Sequence, residues 1–232
     1  MEELIAVVPA RGGSKRLVGK NVKKLAGKPL IFHTLDALIG HDTISKIIFT
    51  TDEEEYIAIV KKQYGSEITC VKRPKAFGSD STKVFDEMVR LAESGELDST
   101  WFLLCLPTSP FRDFQTIQAV LDDWKINKES TFGATHYSFP VQFAFEIDDA
   151  GNWIPTAGAD SPMVTGNTRS QDLATHYRPN GAFYLKRVDA LFQHSTFYTD
   201  SKPFMMNETD SLDIDNEIDF LVVEQLWKMK SA

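Results

Sequence analysis

Four cationic side chains, Arg11, Lys15, Arg16 and Lys20, gather around two adjacent glycines in the stretch LIAVVPARGGSKRLVGKN from Leu4 to Asn21. A glycine-rich turn lets backbone N–H groups approach an anion without Cβ interference, and Arg or Lys then neutralises its charge. That chemistry suits a nucleotide phosphate. The turn is neither a Walker loop, since GxxxxGK[ST] is absent, nor a dinucleotide fingerprint, since GxGxxG is absent. A solvated basic loop is the other reading of these residues alone. Near the far end of the chain Asp213 and Asp215 alternate in a short extended run. Both carboxylates then point to one face, as a Mg2+ site beside substrate phosphates requires. DID before a helix also reads as capping and as stabilisation of the helix N-terminus.

Elements of an α/β chain position these residues. Short apolar runs alternate with helix-length amphipathic segments, the mark of βαβ units and a mainly parallel sheet. Strands are predicted at Leu4–Val8, Lys46–Thr50, Ile68–Lys72, Trp101–Leu106 and Gly181–Leu185. Helices are predicted from Pro29 to Leu38, from an Asp52 cap to Tyr64, from Asp80 or Ser81 through Leu91, over Asp113–Lys125 and over Asn216–Met229. The last is expected to turn Ile218, Leu221, Val222, Leu226 and Trp227 inward. WFLLCL is apolar throughout, as a strand covered on both faces should be. The prolines of PTSPFR end it, which puts Pro107, Thr108 and Ser109 at the carboxyl end of a central strand, the usual ligand position in open α/β sheets. From Phe139 to Trp153 the alternation and aromatics predict a hairpin outside the βαβ rhythm, turning at Asp149-Ala150-Gly151.

The chain has 232 residues, 42% hydrophobic and 25% charged, which fits one globular domain. Its formal net charge of -8 disfavours nucleic acid and anionic membrane as partners. No run approaches a membrane span or a secretory leader, so a cytoplasmic protein is expected. Cys70 and Cys105 lie in apolar runs and read as reduced buried thiols.

PARGGSKR, GKN and AGKPLI open a series of motifs that continues with TTDEEEYIAI, RP at Arg73-Pro74, SDST at Ser79–Thr82, LPTSPFR, TRSQDL from Thr168, RPNGAFYL and LDIDNEIDF. In this order they closely resemble the acylneuraminate cytidylyltransferase family, the CMP-sialic acid synthetases and their relatives for other nine-carbon 2-keto acids. The resemblance implies a three-layer α/β/α sandwich with a mainly parallel, Rossmann-like sheet of the nucleotide-diphospho-sugar transferase type. It implies a single domain over 1–232, with 138–155 as a protruding hairpin that forms a homodimer. The implied reaction transfers CMP from CTP to an acidic nine-carbon sugar with release of pyrophosphate, assisted by Mg2+, and would serve cell-surface polysaccharide synthesis.

Arg11 and Lys20 match the family's triphosphate-binding positions, and with Asp215 they are the implied catalytic residues. Ala10, Gly12, Gly13, Ser14, Asn21, Arg73 and Ser81 match nucleotide-binding positions, Gly12, Gly13 and Ser14 offering backbone and hydroxyl donors. Asp213 and Asp215 match the metal-binding LDID element, while Asp219 is structural. Leu106, Gln142, Arg169, Gln171, Tyr177, Arg178, Asn180 and Gly181 match the sugar side, where an Arg can grip a carboxylate bidentately. Sialate enzymes usually carry Gln before PTSP; Leu106 stands there here. SFPVQ at Ser138–Gln142 resembles the pseudaminate branch, and RPNG the sialate branch. A leucine offers no partner to a sugar hydroxyl but suits a methyl group, so a 9-deoxy sugar such as pseudaminate or legionaminate is expected. The alternatives are N-acetylneuraminate, another sugar such as 3-deoxy-octulosonate, and a non-catalytic nucleotide-binding paralogue.

Overall fold

The computed structural model describes residues 4–78, 82–167 and 169–230. The chain divides into two compact units, Met1–Ala134 with Pro179–Ala232, and Thr135–Arg178. In chain order the elements are β1 (Leu4–Pro9), the two-residue pair β2 (Lys24–Leu25) and β3 (Lys28–Pro29), α1 (Leu30–Leu38), β4 (Ile44–Thr51), α2 (Glu54–Tyr64), β5 (Thr69–Lys72) and α3 (Val84–Glu93). They continue with β6 (Trp101–Cys105), α4 (Phe114–Asn127), β7 (Ser130–His136), β8 (Phe145–Ile147), β9 (Trp153–Pro155), α5 (Pro162–Thr165), β10 (Tyr177–Arg187), α6 (Ala190–Gln193), β11 (Ser201–Met205) and α7 (Glu217–Lys230).

Seven strands form one sheet in the order β11-β7-β10-β6-β1-β4-β5. The pairs β1/β4, β1/β6, β4/β5 and β7/β11 are parallel, and β10 runs antiparallel to β6. Alternation along β1 explains the layers: Leu4, Ala6 and Val8 face α1, α2 and α4, while Ile5 and Val7 face α3 and α6. Both faces are covered, so β1 and β6 are buried along their whole length. The chain leaves β1 for β4 and β5 on one side, then returns to β6 on the other. That reversal opens a crevice beyond the carboxyl ends of β1 and β6, where ligands bind in open sheets. No helix among the described residues is long and apolar enough to cross a membrane.

Several local expectations change. Asp52 does not cap α2, whose N-cap is Glu53 with no side-chain hydrogen bond; its Oδ1 instead accepts the Gly12 N–H at 3.0 Å. The helix after RP starts at Val84 with Lys83 as N-cap. In α7 the buried residues are Phe220 and Val223, with Leu226 and Trp227 packed beside them, whereas Ile218, Leu221 and Val222 are exposed. Apolar residues surround most of this helix, so periodicity did not select its inner face. Packing on Leu17, Leu25, Leu30, Phe111 and Ile214 does, with Trp227 stacked on Phe111 at 5.2 Å between ring centroids.

In the second unit Phe145–Ile147 pairs with Trp153–Pro155, and Val141–Phe143 is a 3-10 turn. The hairpin turn is organised by Asp148, whose Oδ1 accepts the N–H groups of Ala150 and Asn152.

Candidate active site

The loop after β1, the loop after β6 and the segment before α7 enclose a cavity of about 290 Å³. Its walls include Arg11, Ser14, Lys20, Asn21, Arg73, Leu106, Asp213 and Asp215. Eight expected site residues, drawn from four separated stretches, are thus brought to one place.

Buried anchors hold each stretch. Leu17, Ile214 and Phe220 share an apolar cluster that ties the opening loop to the start of α7. Ile214 is fully buried between Asp213 and Asp215, so the alternation seen in the sequence sends the isoleucine inward and leaves both carboxylates on the cavity. The Ile214 N–H donates to the Thr108 carbonyl at 2.8 Å, and its own carbonyl accepts from Lys20 Nζ at 2.6 Å. Asp219 serves as structure: its Oδ2 accepts the N–H groups of Asp215 and Asn216, while Asn216 Oδ1 accepts those of Ile218 and Asp219. This reciprocal cap fixes the Asp215 backbone.

The opening loop is pinned in a different way from the one the sequence suggests. The Gly12 N–H is taken by Asp52 and the Ser14 N–H by the Gly12 carbonyl at 2.9 Å. These amides are therefore committed within the protein. Of the expected Gly12, Gly13 and Ser14 donors, Ser14 is the one that lines the cavity. A Cβ at Gly12 would lie 2.2 Å from Glu53 Oε1, so the exposed Glu53 side chain would have to swing aside to admit one. Ala10 is buried, and its N–H donates to the Thr50 carbonyl at 2.9 Å. Asn21 Nδ2 donates to the Arg11 carbonyl at 2.8 Å, closing the loop on itself.

Electrostatics divide the cavity. Arg73 is buried, donates from Nη2 to the Thr50 carbonyl at 2.9 Å, and has Nε 3.9 Å from the buried Glu87. Burial lowers its pKa, and Glu87 partly offsets this. Burial also raises the pKa of Asp213, reinforced by the neighbouring Asp215 charge and opposed by a hydrogen bond from Thr108 and by Lys20. Asp213 Oδ1 is buried with no hydrogen-bond partner among the described residues. Asp215 Oδ1 lies 3.0 Å from Arg16 Nη2 and 3.5 Å from Lys20 Nζ.

The other expected residues among those described are not part of this cavity's lining. Ser81, with Ser79, Asp80 and Thr168, falls outside the described residues. Asn180 is committed to the core: Nδ2 donates to Ser211 Oγ at 2.9 Å and Oδ1 accepts the Ala182 N–H at 3.0 Å. Gly181 has φ of 72°, a conformation that favours glycine, and a Cβ there would lie 3.8 Å from Leu106 Cδ1. Gln142, Arg169, Gln171, Tyr177 and Arg178 belong to the second unit. There Gln142 Nε2 donates to the Ala174 carbonyl at 2.9 Å, Arg169 pairs with Asp172 at 3.4 Å, Gln171 lines a separate cavity, and Tyr177 is exposed.

Sequence reasoning missed Phe77 and Val84 as cavity walls. It also missed Arg112, which is fully buried and donates to the Leu106 and Ala182 carbonyls and to Thr34 Oγ1 at 2.8 Å. Its Nη1 and Nη2 bond neutral oxygens and stitch the β6 loop to β10, while its buried Nε has no hydrogen-bond partner among the described residues. Only its place at the end of LPTSPFR hinted at such a role.

Residues 5–230 match the family model described as cytidylyltransferase. The chain belongs to that family. It is 32% identical to a CMP-N,N'-diacetyllegionaminic acid synthase of Legionella pneumophila, over 97% of each chain. It is 33% identical to an N-acylneuraminate cytidylyltransferase of Escherichia coli, covering 99% of this chain and 53% of that one, so it spans about half of that relative. A pseudaminic acid cytidylyltransferase of Campylobacter jejuni is 26% identical over 97% of this chain and 96% of its own. Among solved structures, a CMP:2-keto-3-deoxy-manno-octonic acid synthetase complexed with CTP superposes with a TM-score of 0.70 at 14% identity, covering 98% of this chain and 99% of that one. That likeness establishes the sandwich fold with its mostly parallel sheet. This family member is a nucleotidyltransferase, and the cavity lies where the sheet topology places a ligand.

Proposed function

We propose that this cytidylyltransferase moves CMP from CTP to the anomeric hydroxyl of an acidic nine-carbon sugar, releasing pyrophosphate. The observation that carries the reading is the convergence of Arg11, Lys20 and Arg73 with Asp213 and Asp215 on one cavity at the sheet's reversal point. As the sugar oxygen attacks the α-phosphorus, charge grows on the leaving pyrophosphate. Arg11 and Lys20 neutralise it, Ser14 and Asn21 shape the nucleotide side, and no covalent nucleophile is needed.

The donor set fits Mg2+. Among the described residues no three His, Cys, Asp or Glu side chains cluster, but Mg2+ is commonly held by one or two carboxylates together with substrate phosphates and water. The unpartnered Asp213 Oδ1 supplies a buried oxygen, and Asp215 supplies the second carboxylate. When bound, the ion neutralises phosphate charge.

Leu106 on the cavity wall favours a methyl-ended sugar, and a legionaminic acid synthase stands among the relatives beside N-acylneuraminate enzymes of similar identity. Pyrophosphate release from CTP across legionaminate, pseudaminate, N-acetylneuraminate and 3-deoxy-octulosonate tests the reading. A 9-deoxy sugar should give the highest kcat/KM, and Leu106→Gln should narrow its lead over N-acetylneuraminate. A wild-type preference for N-acetylneuraminate would overturn the sugar assignment, and no release with any nonulosonate would overturn the function.

The second unit supports a homodimer. Phe145 faces Pro155 and Ile147 faces Trp153 across the hairpin, which gives one apolar face with all but Pro155 exposed. A two-stranded hairpin needs such a surface covered. Light scattering should give twice the chain mass, and a monomer at micromolar concentration counts against the dimer.

A further inference from the structure

The ion pair between Arg16 and Asp215 is one feature of the cavity that nucleotidyl transfer does not call for. Asp215 Oδ1 has two cationic neighbours, and they are held very differently. The Lys20 side chain is 12% exposed and its ammonium is fastened by the Ile214 carbonyl at 2.6 Å. The Arg16 side chain is 69% exposed, and it extends from a loop position between exposed Lys15 and buried Leu17. Leu17 anchors the backbone and leaves the guanidinium as an arm over solvent. Lys20 is therefore a fixed component, whereas Arg16 can leave at the small cost of an exposed ion pair.

We propose that Arg16 is a displaceable cation at Asp215, so that a divalent ion and the Arg16 guanidinium compete for the same carboxylate. This rests on the reading of Asp213 and Asp215 as metal ligands. The ion does not meet a bare carboxylate pair: Asp213 presents its unpartnered Oδ1, while Asp215 is already neutralised. Metal entry and release of Arg16 from Asp215 are then a single exchange of charge. Two positive charges arrive and one departs from the carboxylate, which limits like-charge repulsion beside Lys20. The departing guanidinium remains on the cavity wall, where it adds to Arg11 and Lys15 as a counter-charge for the triphosphate. A competitor that covers the site lowers apparent metal affinity by the fraction of time it is bound.

Mn2+ titration followed by electron paramagnetic resonance, without nucleotide, tests the exchange on the full chain. Arg16→Ala should bind Mn2+ about two- to fivefold more tightly than wild type, the range set by an exposed ion pair. Arg16→Lys should stay near wild type, and Lys24→Ala, which removes an equal charge at an exposed position outside the cavity, should not tighten binding. The gain should shrink at about 1 M salt, where screening acts within about 3 Å. If Arg16→Ala binds no more tightly than Lys24→Ala while Asp213→Asn and Asp215→Asn weaken binding, the competition is overturned and the metal reading stands. If neither Asn variant weakens Mn2+ binding, the metal reading fails and takes the competition with it.

Discussion

The cavity-bearing unit and the unit of Thr135–Arg178 are built on opposite plans. In the first, several charged residues of the site sit beside a buried one: Ala10 next to Arg11, Leu17 next to Arg16, Ile214 between Asp213 and Asp215. In the second, strands are three residues long and Phe139, Phe145, Ile147, Trp153 and Ile154 are exposed. The difference fits the proposed tasks. Neutralising charge on a leaving group demands preorganised donors whose backbone cannot drift. The dimer and sugar contacts proposed for the second unit demand surface instead. The same contrast appears within α7, where Phe220 and Val223 serve the core and Ile218 and Leu221 face solvent.

The contrast is sharpest in stability. Phe220→Ala should cost about 3–5 kcal/mol in urea unfolding, as loss of a buried aromatic commonly does, whereas Ile218→Ser or Ile154→Ser should cost under about 0.5 kcal/mol. Comparable losses at all three would erase the distinction.

A pH dependence of nearly the same size comes from His33, which is buried under α7, with its ring centroid 4.5 Å from that of Trp227. Its Nε2 is 2.9 Å from the Leu25 carbonyl, which accepts only, so the neutral ring carries its proton there. Burial lowers the pKa from 6.5 to about 4. Between those values the unfolded chain binds more protons than the folded one. Stability is therefore full above pH 6.5 and falls as the pH drops towards 4, by about 3 kcal/mol in all. Urea unfolding at several pH values should show this slope, and His33→Gln should flatten it. An undiminished slope in the variant would assign it to other groups.

Kinetics separate the two units next. Arg11→Ala should lower kcat by about 10²-fold or more, the usual effect of removing a preorganised charge-stabilising donor, while Lys15→Ala does much less. Arg169→Ala should act on the KM for the sugar and leave that for CTP unchanged. Equal small losses at Arg11 and Lys15 would make the opening loop a basic surface only. Asp213→Asn and Asp215→Asn should fold normally and require more Mg2+ or turn over more slowly. Unchanged kinetics with lowered thermal stability would return the pair to capping.

Sequence alone determined the buried strands β1 and β6, the alternation that places Asp213 and Asp215 on one face, the loop of cations after the first strand and, through its motifs, the family. Each is a local pattern, fixed by side-chain period or by a short run of residue types. Tertiary structure decided what depends on residues far apart in the chain. Asp52 captures the N–H of Gly12, 40 positions away, because β1 and β4 lie side by side and end together. Lys20 reaches the carbonyl of Ile214, 194 positions away, because Leu17 and Ile214 share a core. The inner face of α7 was set by packing on Leu17, Leu25, Leu30, Phe111 and Ile214 and not by its own apolar pattern. Arg112 found neutral partners where the β6 loop, β10 and α1 come together. A hydrogen-bonding group in a sequence can name its chemistry but not its partner, since the partner is set by which strands and helices pack together.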